Sequence, residues 1–138
     1  MKTLFLNFSK DPNGLTENLA YNSFNIANIK TINIVKKEIK PLGQKYSIDD
    51  QFKEICNEIS KIDNLIIGTP VYWSSMSSYM KIFIDRMTEV MSENPFKGKS
   101  LYLVVAGSDP SDAFPHIKHV WEHVSKKFDM NLIESVSN

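Results

Sequence analysis

Five short apolar runs, separated by longer polar or helix-patterned stretches, constrain this chain more than any other feature. They are Thr3–Phe8, Thr31–Val35, Leu65–Gly68, Leu101–Ala106 and Asn131–Val136. Their lengths and the turn residues bounding them predict strands. Between them, a helix is expected from Leu15 or Thr16, with a poorly defined end because Asn22, Ser23, Asn25 and Asn28 are weak helix formers. Ile48, Phe52, Ile55, Ile59 and Ile62 recur at helical spacing and predict a second helix over 48–61. A third is expected over Met76–Met91 and a fourth over Ala113–Phe128. Residues 36–46, polar and containing Pro41 and Gly43, read as a loop, and Pro95–Lys99 as a turn.

Strands that alternate with helices imply parallel neighbours, because a parallel pair needs a long crossover and that crossover is usually a helix. Leu101–Ala106 carries almost no polar residue, as expected of a strand covered on both faces. The fold class is therefore α/β: a five-stranded parallel sheet with helices on both faces. One domain over residues 1–138 is expected, since no internal repeat, low-complexity tract or linker interrupts the pattern. A terminal helix after the fifth run is absent. The last strand should then lie at a sparsely covered edge, which a subunit contact would cover.

Composition narrows the function classes. The 138 residues hold 42% hydrophobic and 23% charged residues, the balance of an ordinary globular chain. Sixteen basic residues offset sixteen acidic ones, which argues against nucleic acid as the main partner, because phosphate-backbone binding needs a concentrated positive surface. The same balance argues against an acidic electron shuttle that steers to basic partners. Cys56 is the only cysteine, so these residues form no intrachain disulfide and build no thiol-based metal cluster. Asn7 and Ser9 break the apolar run after Lys2 too early for a signal peptide, and no run approaches the length of a membrane span. A cytoplasmic location with no membrane partner is the expectation.

Two loops carry the functional signal. The first, Ser9-Lys10-Asp11-Pro12-Asn13-Gly14-Leu15-Thr16, joins the first strand to a helix start. Ser9, Asn13 and Thr16 offer short side-chain donors, Gly14 permits a tight turn, and free N–H groups of the helix start favour an anion. A plain turn at Asn13-Gly14 with Thr16 as a helix cap is the alternative reading. No Gly-x-Gly-x-x-Gly follows the first strand, and Gly98-Lys99-Ser100 lacks the first glycine of a Walker loop and precedes a strand. The second loop, Thr69-Pro70-Val71-Tyr72-Trp73-Ser74-Ser75, follows the third strand and mixes hydroxyls with aromatics. In strand order 2-1-3-4-5 the first and third strands are neighbours at the switch point, so the two loops flank one crevice. A phosphate at one end and a flat aromatic ring at the other describe FMN.

The run Gly68-Thr69-Pro70-Val71-Tyr72-Trp73-Ser74-Ser75-Met76-Ser77, continuing to Phe83-Ile84-Asp85-Arg86, resembles the NADPH-dependent FMN reductase branch of the flavodoxin-like superfamily. The first loop is similar through its Ser9, Asn13, Gly14 and Thr16 spacing. The resemblance implies FMN as cofactor, with Ser9, Asn13, Gly14, Leu15 and Thr16 at its phosphate and Thr69 to Ser75 along the ribityl chain and ring. Tyr72 and Trp73 would lie beside the ring, and Ala106, Gly107 and Ser108 would line its other edge. It further implies NAD(P)H as electron donor, a quinone, azo or nitro compound or free flavin as acceptor, and a homodimer. The family often reads Gly-Ser-Pro-Arg where this chain reads Phe8-Ser9-Lys10-Asp11, so Lys10 is the cation left near that place. Its iron–sulfur members carry cysteines between the second strand and second helix, and this chain has none there.

The chemistry then resides on the flavin, and no catalytic side chain is assigned beyond Tyr72 as a ring-edge hydrogen-bond donor. His116, His119 and His123 share one face of the fourth helix, but no nearby carboxylate or cysteine completes a ligand set, so no metal is expected. Two alternatives stay open: a flavodoxin-type carrier that binds FMN without oxidising NAD(P)H, and a flavin-free binding module, to which Asp11 and the short C-terminus would point. A phosphorelay receiver is excluded, because Asn7, Phe8 and Thr69 stand where its acids would be.

Overall fold

The computed structural model describes all residues from Met1 to Asn138. Its elements follow in the order β1 (Thr3–Asn7), α1 (Leu15–Ser23), β2 (Ile29–Asn33), α2 (Phe52–Ser60), β3 (Asn64–Tyr72), β4 (Ser75–Met76), α3 (Ser78–Met87), β5 (Ser100–Ala106), α4 (Phe114–Lys127) and β6 (Asn131–Ser137). Five strands form one parallel sheet in the order β2-β1-β3-β5-β6, and β4 pairs antiparallel with the end of β3. This is the sheet order expected above, with β5 and β6 as the fourth and fifth apolar runs. No helix is long and apolar enough to cross a membrane.

The sheet separates two apolar layers. Leu4, Leu6, Leu65, Ile67, Leu101, Leu103 and Val105 face α2, α3 and α4 and join a cluster of 26 buried residues. A chain of edge-to-face rings runs through that layer, with Phe83 5.5 Å from Phe8, 5.1 Å from Phe52 and 6.4 Å from Phe96. Phe5, Ile66 and Val104 face α1 and form a smaller cluster with Ala20. Gly68 lies beneath the first turn of α1: a Cβ there would stand 2.7 Å from Val104 Cγ2 and 2.8 Å from Thr16 Cγ2. The missing side chain lets α1 press onto the carboxyl ends of the strands. Strand β6 is largely exposed, as expected for the edge.

Several boundaries differ from the sequence reading. Helix α2 begins at Phe52, and Ile48, assigned above to its apolar face, is fully exposed. The cause is Asp50: its carboxylate accepts the Phe52 and Lys40 N–H groups and both arms of Arg86, so the chain is held out of helical conformation until residue 51. Strand β2 starts two residues earlier than expected, set by its parallel pairing of Thr3 with Ile29. Residues 34–36 then form a short 3-10 turn. Left-handed Asn25 and Asn28 give α1 its abrupt exit. The largest correction concerns residues 69–75, which are not an open loop. Strand β3 continues to Tyr72, turns at Trp73 and Ser74, and returns as β4, with Val71 opposite Met76 and Tyr72 opposite Ser75. Helix α3 consequently starts at Ser78, capped by Ser77, rather than at Met76, and ends at Met87 before a 3-10 turn at 88–90.

Candidate active-site cleft at the carboxyl ends of the strands

The first loop leaves β1 through Phe8, whose N–H donates to the Gly68 carbonyl at 2.9 Å. Ser9 follows, 6% exposed, its N–H held by Asn7 Oδ1 and its hydroxyl oxygen accepting the Asp11 N–H. Asn13 adopts a left-handed φ of 62°, which asparagine tolerates better than most residues, and Gly14 is the helix N-cap with no side-chain cap of its own. The Leu15 and Thr16 N–H groups at the start of α1 meet no acceptor within the chain. Thr16 is 2% exposed, and its hydroxyl makes no hydrogen bond within the chain. Lys10 Nζ pairs with Asp11 at 2.9 Å on the outer side of the loop. The Asp11 hydrogen bond raises the Lys10 pKa.

The β3–β4 hairpin forms the facing wall. Trp73 and Ser74 have φ of 50° and 59°, two consecutive left-handed residues as in a type I′ turn. Such a turn normally carries glycine or asparagine, so a tryptophan there is strained and persists because both flanks are fixed. On one side the strand pairing fixes it, and on the other Ser74 Oγ donates to Asp112 Oδ2 at 2.6 Å. Thr69 lies beneath with its hydroxyl spent inside the fold, donating to the Pro70 carbonyl and accepting the Ser77 N–H. Ser77 in turn donates to the Phe8 carbonyl at 2.7 Å, tying the start of α3 to the first loop.

These ties bring the two segments face to face. The Lys10 N–H donates to the Tyr72 hydroxyl at 3.2 Å across 62 residues of sequence. Lys10, Val71, Tyr72 and Trp73 line an open cavity of about 440 Å³, within the usual size range of small-molecule sites. Trp73 is fully exposed at its rim, while Val71 and Tyr72 are half-buried. The third segment, after β5, closes the side: Gly107 lies against Val71, and its N–H and carbonyl both bond the Asn138 carboxamide, at 2.9 and 2.6 Å. Ala106 is buried in β5, and Ser108 is exposed beyond it.

Glu17, Asp112 and Asn138, which the sequence reading did not single out, hydrogen-bond the segments around the cleft, and Lys10 enters through its backbone N–H rather than its charge. Glu17 accepts the Asn13 N–H at 2.6 Å. A glutamate in the first helical turn, able to fold back onto the preceding loop, was the only signal for any of the three. Away from the cleft, Arg86 is 2% exposed and makes a bidentate pair with Asp50, a bond to Glu89 and a cation–π contact with Tyr46 at 3.7 Å. Burial raises the Asp50 pKa, but the Arg86 hydrogen bonds and two backbone N–H groups outweigh it and lower the carboxyl to about 2. Arg86 therefore pins the 37–51 segment to α3. A second recess of about 240 Å³, lined by Lys53, Cys56, Asn57 and Glu93, lies on the α2 flank. It is away from the strand ends where α/β sheets bind ligands. His116, His119 and His123 are all exposed on α4, and no group of three His, Cys, Asp or Glu residues is placed to hold a metal ion.

The family model for NADPH-dependent FMN reductase matches residues 1–137. YwqN of Bacillus subtilis (strain 168), named as an NAD(P)H-dependent FMN-containing oxidoreductase, is 27% identical over 123 residues, 79% of this chain and 68% of that protein. The iron–sulfur flavoprotein MJ0731 of Methanocaldococcus jannaschii is 29% identical over 62 residues, so the chain spans only 31% of its length. The single buried cysteine of this chain offers no ligand set for such a cluster. Among solved structures, the Trp repressor binding protein from Bacillus subtilis superposes with a TM-score of 0.77 at 24% identity, covering 99% of this chain and 85% of that one.

Proposed function

The chain belongs to the NADPH-dependent FMN reductase family, and from that premise we propose that the cleft between the first loop and the β3–β4 hairpin holds FMN, which passes electrons from NAD(P)H to a quinone, azo or nitro compound or a free flavin. The observation that carries this reading is the Lys10–Tyr72 contact, which ties the phosphate-type loop to the aromatic hairpin and sets Lys10 with Val71, Tyr72 and Trp73 around one cavity. The residues fit the cofactor. Thr16 presents a hydroxyl that bonds nothing within the chain, Leu15 and Thr16 present free N–H groups, and Gly107 has a donor and an acceptor side by side, both held by Asn138.

Ser9, Asn13, Gly14, Leu15 and Thr16 would hold the phosphate by neutral donors and the positive end of α1, without a metal or a lysine cradle. Pro70, Val71 and Tyr72 would support the ribityl chain and ring, with Trp73 offering its exposed indole as a flat rim. Thr69 and Ser75 would act through the backbone they fix. Ala106, Gly107 and Ser108 would meet the ring edge, where an N–H donor stabilises negative charge as the ring is reduced. FMN, when bound, supplies the redox chemistry, accepting hydride from the nicotinamide and releasing two electrons to the acceptor. The protein positions the ring and leaves one side of the cavity open to a second planar molecule. The Tyr72 hydroxyl, fixed by the Lys10 N–H, is placed to orient a polar group at the ring edge.

The test is an anaerobic titration of the protein reconstituted with FMN. Bleaching of the flavin band by NADH or NADPH supports the reductase. Bleaching by dithionite alone points to an electron carrier, and failure to take up FMN removes the cofactor reading. Gel filtration of the same sample measures whether the loaded protein is the homodimer expected of this family.

A further inference from the structure

Two side chains of the chain itself bond the backbone of segments assigned above to FMN, each a chemical likeness of what the cofactor would present there. The Glu17 carboxylate reaches back from the first turn of α1 to accept the Asn13 N–H at 2.6 Å. It thereby places a negative charge at the positive end of the helix, where an anionic ligand is favoured. Thr16, 2% exposed, spends its hydroxyl on no partner, and Ser9, 6% exposed, only accepts with its own. The loop thus has two hydroxyls whose protons Glu17 does not use, more donors than one carboxylate consumes and what a three-oxygen phosphate would take.

At the other end Gly107 donates its N–H to Asn138 Oδ1 at 2.9 Å, and its carbonyl accepts Asn138 Nδ2 at 2.6 Å. This closed pair, an acceptor beside a donor on one planar group, has the pattern of the C=O and N–H edge of a flavin pyrimidine ring. The two contacts are independent, one in the first loop and one after β5.

We propose that Glu17 and Asn138 are exchangeable occupants of the FMN cleft, so that cofactor affinity is set by displacing a carboxylate at the phosphate end and a carboxamide at the ring end. This rests on the FMN reading above. Glu17 opposes only ligands that carry the phosphate, because like charges compete for one N–H cluster. Asn138 opposes every ligand that carries the isoalloxazine ring. The chain would then hold FMN as a reversible cofactor, with Glu17 as the residue that sets preference between phosphorylated and unphosphorylated flavin.

FMN and riboflavin titrations, followed by quenching of flavin fluorescence, separate the two terminal contacts in wild type, Glu17→Gln and Asn138→Ala. The carboxamide introduced by Glu17→Gln keeps an oxygen for the Asn13 N–H, so the contact to the loop is retained while the charge is removed. Glu17→Gln should tighten FMN about tenfold and leave riboflavin within about twofold of wild type. Asn138→Ala should tighten both flavins by a similar factor of about three. An unchanged FMN-to-riboflavin ratio in Glu17→Gln, or weaker binding of both flavins by Asn138→Ala, would overturn the inference while leaving the cofactor reading intact. Binding of neither flavin by any of the three proteins would overturn both.

Discussion

Replacing Gly68 by alanine tests whether α1 and its loop are seated by the absence of a side chain. The added methyl would stand 2.7 Å from Val104 Cγ2, 2.8 Å from Phe5 Cε1 and 2.8 Å from Thr16 Cγ2. All three neighbours are almost wholly buried, at 0, 0 and 2% exposure, so none can swing a free end aside. Overpacking of this kind costs about 1–3 kcal/mol. A glycine with ordinary φ also gains about 0.4–1 kcal/mol on becoming alanine, through lower unfolded-state entropy. The net loss is about 1–2 kcal/mol, a fall of roughly 3–8 °C in melting temperature for a chain of this size. Thermal unfolding followed by circular dichroism measures it. Thr16→Ser removes the Cγ2 that meets the new methyl, so the double variant should be more stable than the sum of the single effects by about 0.5–1 kcal/mol. FMN affinity should fall in the alanine variant and recover in part in the double, because the loop from Ser9 to Thr16 moves with α1. A Gly68→Ala protein that melts at or above wild type, with additive single effects, would refute the account.

Three further outcomes follow from the same structure. The Asp50 carboxyl drops from 3.8 to about 2 on folding, so the pair stabilises the fold by roughly 2 kcal/mol above pH 3.8. That contribution should be lost as pH falls through 3.8 towards 2, and a urea-denaturation series should show the slope in wild type but not in Asp50→Asn. Burial pushes the Cys56 thiol up to about 12. It should therefore ignore thiol reagents in the folded protein at mildly alkaline pH and react fully in denaturant. Trp73→Ala, at a fully exposed tip, should leave stability within about 0.5 kcal/mol yet weaken FMN by about 1–3 kcal/mol if the indole stacks on a flat heteroaromatic ring; equal FMN affinity would remove Trp73 from the cleft.

The strands of the sheet were legible because they depend on short-range signals, and their order was implied by the flavodoxin-like resemblance. Apolar runs such as Leu101–Ala106 announce buried parallel strands, and the segments between them are long enough for crossovers. The glycine in Asn13-Gly14, the hydroxyls around it and the aromatic pair Tyr72-Trp73 stood out for the same local reason. Ile48 misled because a periodic apolar residue looks alike on either side of a helix start. The start was decided by Asp50 bonding to Arg86, 36 residues away. The hairpin at Trp73-Ser74 was hidden because two left-handed residues without glycine are locally unfavourable, and only the pairing to β4 and the bond to Asp112 hold them there.

Local pattern alone therefore determined where most strands and helices lie and that the sheet is parallel, while the order 2-1-3-4-5 and the two loops at one end of it came with the flavodoxin-like resemblance. Folding decided what those loops touch: Tyr72 against Lys10, Glu17 on Asn13, Asn138 on Gly107. Hydrophobic periodicity is a property of neighbours in the chain, whereas a hydrogen bond between distant loops exists only once the packed core has brought its two ends within about 3 Å.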